Sequence, residues 1–111
     1  MGLVASQSRL LFITAFKSDL EFRMQLITQR RLMMSVTTTN LARAQSVACQ
    51  RKDQNAITNI ENQLKILQVA DKALEMEMKN IETQHNAVQT EYDSVKKVID
   101  KNIETSFKYF G

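Results

Sequence analysis

"ITNIENQLKILQVADKALEMEMKNIETQHNAVQTEYDSVKKVI", residues 57–99, is the stretch whose reading decides the fold. Taken every seventh residue, Ile60, Leu67, Leu74, Ile81, Val88 and Val95 are all apolar. A companion set, Ile57, Leu64, Asp71, Met78, His85, Tyr92 and Ile99, is apolar or aromatic except at Asp71 and His85. Two interleaved sets of sevens are the signature of a helix packed along one seam against another helix. The predicted coiled-coil seam is therefore Ile60, Leu64, Leu67, Leu74, Met78, Ile81, Val88, Tyr92, Val95 and Ile99. His85 reads as a polar seam position, near solvent or bonded to a neighbour. Beyond Ile99 the apolar positions step to Ile103, Phe107 and Phe110, which rotates the stripe towards a different partner.

Composition extends the helical reading to the whole chain. Its 111 residues contain no proline, and the two glycines are Gly2 and Gly111. Nothing between them breaks a helix or supplies an easy positive-φ turn. The weakest helical stretch is "SVTTTN" (35–40), β-branched and polar, where Asn40 can cap a new helix at Leu41. The most polar is "CQRKDQNA" (49–56), near the midpoint. A bend there gives an all-α fold, a long helical hairpin in one helical domain over 1–111. Arm one covers about 3–50, the turn about 51–55 and arm two about 56–110.

The first arm differs from the second. Leu10, Ile13, Leu20, Ile27 and Met34 form one stripe, and Phe12, Phe16, Phe22, Leu26 and Met33 form another beside it. A helix apolar on more than one face is buried among several neighbours, and one partner arm covers only one stripe. Charge divides the arms as well. Residues 1–52 carry eight basic side chains against two acids, a net +6, and residues 53–111 carry seven against ten, a net −3. A basic arm beside an acidic one accounts for this asymmetry. A nucleic-acid reading would need Arg23, Arg30, Arg31 and Arg43 on an exposed basic face, and the apolar residues interleaved among them argue against it.

Other function classes lack their chemistry. With Cys49 and His85 the only residues of their kinds, the sequence offers no Cys/His cluster for a metal and no convergent set of titratable groups for catalysis. The expectation is no enzyme, no cofactor and no small-molecule substrate. "LLFITAF" (10–16) is apolar but, at seven residues, too short to span a bilayer, so membrane insertion is not expected. "MGLVAS" fits the loose myristoylation pattern through Gly2 and Ser6. No small-x-small cleavage site follows the apolar run. The expected location is extracellular or on the cell surface if export proceeds without a cleaved signal, and cytoplasmic otherwise.

The two ends resemble axial, filament-forming proteins of type III secretion and flagellar systems. "SVKKVIDKNIETSFKYFG" (94–111) is similar to the end of needle subunits, through Val95, Lys97, Val98, Asp100, Ile103 and the aromatics from Phe107 to Phe110. "GLVASQSRLLFIT" (2–14) resembles the opening helix of flagellar axial proteins, through Ala5, Ser6, Gln7, Arg9, Leu10 and Ile13. The resemblance implies subunits stacked helically, both termini packed inside the assembly, and a secretion apparatus as a further partner.

The expected function is a structural protein that self-assembles into a helical filament or tube, bacterial and secretion-associated, with itself as partner. The expected subunit interface comprises Leu10, Leu11, Phe12, Ile13, Phe16, Leu20, Val98, Ile103, Phe107 and Phe110. The alternative is a closed coiled-coil oligomer, joined along the seam from Ile60 to Ile99, acting as an adaptor or scaffold for a partner helix.

Overall fold

The chain is all-α. A computed structural model describes residues 2–110, and the side chains among them as far as Lys108. Helix α1 runs over Leu3–Arg51 and helix α2 over Gln54–Phe110, and the two pack as a hairpin with no strand among the described residues. Packing groups the residues of the chain into two compact units. The first joins Met1–Met24 to Asn80–Gly111, and the second is Gln25–Lys79.

The turn lies in the second unit, inside the window read from composition, and it forms without glycine. Lys52 takes a left-handed φ of 58°. Its amide donates to the Cys49 carbonyl at 3.2 Å, and the Asp53 amide donates to the Ala48 carbonyl at 3.1 Å. This pair of bonds is a Schellman closure, which satisfies the last carbonyls of α1. Asp53 then caps α2, its Oδ1 accepting from the Ala56 amide at 3.2 Å while its carbonyl accepts from Ile57 at 3.1 Å. Two residues thus close one helix and open the next.

The weak helical stretch "SVTTTN" does not interrupt α1. The hydroxyls of Thr37, Thr38 and Thr39 donate to the carbonyls of Met33, Met34 and Ser35 at 3.0, 2.8 and 3.0 Å. Hydroxyls that bond back four residues along the helix do not compete for the backbone amides, so α1 continues and Asn40 caps nothing.

In the first unit, Ile13 and Leu20 of α1 and Ile81, Val88, Val95 and Ile99 of α2 are buried, and Leu10, Met24 and Tyr92 are half-buried. Ser6, at the same spacing, is fully covered. The α1 members alternate by three and four residues, so α1 carries a heptad seam of its own facing that of α2. In the second unit, Ile27 and Ala48 are buried. Met34, Leu41, Ile57, Ile60, Leu64, Leu67, Leu74 and Met78 are half-buried.

Charged seam positions meet partners across the hairpin. In the second unit the Arg31 guanidinium grips Asp71 through Nε to Oδ1 at 2.9 Å and Nη2 to Oδ2 at 3.3 Å. This two-point bond holds the Asp71 carboxyl below its usual range and raises Arg31 above its own. In the first unit His85 Nε2 lies 3.0 Å from Glu21 Oε1, and the Lys17 ammonium sits 4.9 Å from the Tyr92 ring centroid. Arg9 pairs with Glu91. Each fault in the apolar seam is thus a cross-helix pair that favours one register over its neighbours.

Candidate interaction surface

While the seam takes Leu10, Ile13, Leu20, Ile27 and Met34, the second stripe of α1 stays exposed to varying degrees. In the first unit Phe12 is 66% exposed, Phe16 41% and Phe22 58%, with Leu11 bare beside them at 74%. In the second unit Leu26, Leu32, Met33, Val36 and Val47 of α1 are exposed, as are Ile66, Val69 and Met76 of α2. Runs of large apolar side chains at helical spacing, left in water, mark surfaces that meet another molecule.

The expected interface residues therefore sort into two groups. Ile13 and Leu20 are buried and Leu10 is half-buried, all three on the α1 seam. Their heptad spacing is the reason: residues seven apart stay on the face turned to the other helix. Leu11, Phe12 and Phe16 face outwards, and so do Val98, Ile103 and Phe107 on α2. Phe107, 74% exposed, does not fold back onto α1. The side chain of Phe110 lies outside the described residues.

The outward rings have charged company. The Arg9 guanidinium carbon stands 5.8 Å from the Phe12 ring centroid while the same group pairs with Glu91. One turn beyond Phe16, Arg23 Nε lies 3.2 Å from Asp19 Oδ2, with both side chains more than half exposed. Such surface pairs hold their partners weakly and re-pair readily. The combination of exposed aromatic rings and arginine is the composition of residues that dominate protein interfaces.

The remaining features carry less. The second unit has a shallow groove of about 630 Å³ beside the Arg31–Asp71 pair, where the small Ser35, Thr38 and Thr39 face Leu67 and Met78. Cys49 is exposed. Among the described residues there is no group of three or more metal-ligating side chains, and no helix is long and apolar enough to cross a membrane.

Sequence reasoning did not find the partners of the seam charges or the cap at Asp53. Both left a signal. Arg31 and Asp71 stand at similar distances either side of the turn, and Asp53 directly precedes a strong helical run. Compared with known protein families, with curated proteins and with solved structures, the chain matches none.

Proposed function

We propose that the chain is a structural protein whose hairpins associate with one another into a helical filament or tube. The observation that carries this reading is the uncovered apolar face of α1 in the first unit, Leu11, Phe12, Phe16 and Phe22. Burying a ring of this kind is worth about 1.5–3 kcal/mol, so a few of them hold subunits together at ordinary concentrations. Val98, Ile103 and Phe107 add exposed apolar surface on α2. The likeness of both ends to axial proteins of type III secretion and flagellar systems agrees with this reading and motivates its placement outside the cell or on a secretion apparatus.

The alternative is a closed coiled-coil oligomer acting as an adaptor or scaffold, joined along the seam from Ile60 to Ile99 with its first arm binding a partner helix. Against it, that seam is buried or half-buried beside α1 of the same chain.

Negative-stain electron microscopy across a concentration series, with light scattering alongside, tests the proposal. Filaments of uniform width appearing above a critical concentration are expected. One small species at every concentration would overturn it.

A further inference from the structure

We infer that the repeating contact joins one stripe on α1 to one stripe on α2 of a second copy, both lying in the first unit. This rests on the self-assembly reading above and specifies its interface. The α1 stripe, read from Arg23 backwards, is Arg23, Asp19, Phe16, Phe12 and Arg9. The α2 stripe, read forwards, is Asp93, Lys97, Asp100, Glu104 and Phe107. Every one of these ten side chains is exposed or nearly half exposed.

The two stripes share one spacing. From its first member, each advances by four, seven, eleven and fourteen residues. Each therefore follows a single helix face for about 21 Å at 1.5 Å per residue. Laid antiparallel, Arg23 meets Asp93, Asp19 meets Lys97, and Arg9 reaches the end that carries Glu104 and Phe107. In that register Phe16 and Phe12 fall level with Asp100 and Glu104, and Arg9 level with Phe107. Each ring thus reaches its apolar neighbour one turn along, Phe16 the methylene stem of Lys97 and Phe12 the ring of Phe107. Opposite charges matched along a surface fix partner and register more than they add affinity, and the rings supply the burial.

The occupant is a second copy, by charge and by geometry. The α2 stripe holds three acids, one lysine and one ring, the complement of the two arginines, one acid and two rings of the α1 stripe. The stripes also lie on opposite flanks of the unit. Glu91, which pairs with Arg9, marks the flank of the α1 stripe. Asp93 follows it by two residues, about 200° around the helix. A chain cannot join its own two stripes, and two chains joined by one contact each keep a stripe open. Such a contact is heterologous, and it builds a fibre when the rotation from copy to copy does not close into a ring.

Charge reversal with mixing tests the pairing. Arg23→Glu and Asp93→Arg, each alone, are expected to raise the critical concentration for filaments by about tenfold or more, with helicity by circular dichroism unchanged. Mixed in equal amounts, the two variants are expected to regain filaments. The reversed α1 stripe of one variant then faces the reversed α2 stripe of the other, and the native pair re-forms at alternate contacts. Arg23→Lys should assemble like the unaltered chain. If the unaltered chain forms filaments and either reversal leaves them intact, or mixing restores nothing, this contact is wrong while the self-assembly reading stands. If the unaltered chain forms only a closed dimer or a single small species, both fall.

Discussion

α1 and α2 solve the same packing problem with opposite economies of sequence. α2 keeps its regular apolar heptads on the seam and gives most outer positions to lysine, glutamate, asparagine and glutamine, with Ile66, Val69, Met76 and Phe107 as the bare exceptions. α1 has a seam interrupted by Ser6, Lys17 and Arg31, and its outer positions include Leu11, Phe12, Phe16, Phe22, Leu26, Leu32 and Met33. A single hairpin has no use for those residues. The contrast separates the residues that hold one chain together from the exposed apolar residues, which are more numerous on α1.

Truncating one seam residue and one outer residue of α1 sharpens that contrast most. Leu20 is fully buried, so Leu20→Ala should cost about 2–5 kcal/mol in chemical unfolding of the dispersed chain. Leu11→Ala, on the bare face of the same helix, should stay within about 0.5 kcal/mol. Equal losses at the two sites would mean that the outer face is covered within the chain, and the comparison would collapse.

The junction between the helices offers effects of intermediate size. Asp53→Ala removes the cap on the Ala56 amide and should cost about 0.5–2 kcal/mol, read as a lower urea midpoint. Lys52→Gly should act in the other direction. The left-handed backbone at Lys52 is strained for any residue with a Cβ, and its relief should add up to about 1 kcal/mol. A loss of stability in Lys52→Gly would show that α1 does not end by the left-handed closure.

The smallest effect is a pH dependence of the second unit. The Arg31 hydrogen bonds depress the Asp71 pKa in the folded chain. A carboxyl with a lowered folded pKa contributes stability that is present above its unfolded value and is lost as pH falls through the folded one. Thermal melts should therefore decline on acidification below the ordinary aspartate range, and Asp71→Asn should remove this part of the decline. Both partners are solvent-accessible, so added salt should weaken the contribution.

These tests also mark how far the sequence could be read. The α2 seam was plain because six consecutive positions spaced by seven are apolar, and the bend was placed by polarity alone. The α1 seam was half hidden. Its apolar members are interrupted by Ser6, Lys17 and Arg31, and their seam role becomes visible only once α2 lies opposite. The stretch 35–40 is the weakest helical sequence of the chain, and it stays helical because its threonine hydroxyls bond back along the helix. The outer stripe through Phe12, Phe16 and Phe22 was legible as surplus hydrophobicity. The spacing that Arg9, Phe12, Phe16, Asp19 and Arg23 share with Asp93, Lys97, Asp100, Glu104 and Phe107 was not, because spacing shared between two helices acquires meaning only after each helix has a seam to define its outside.

Sedimentation velocity of the unaltered chain beside a Phe12→Ser, Phe16→Ser variant, at matched concentrations and with helicity monitored, tests the central claim most directly. The account expects large assemblies from the first and a single hairpin of undiminished helicity from the second. Identical size distributions for the two would contradict it.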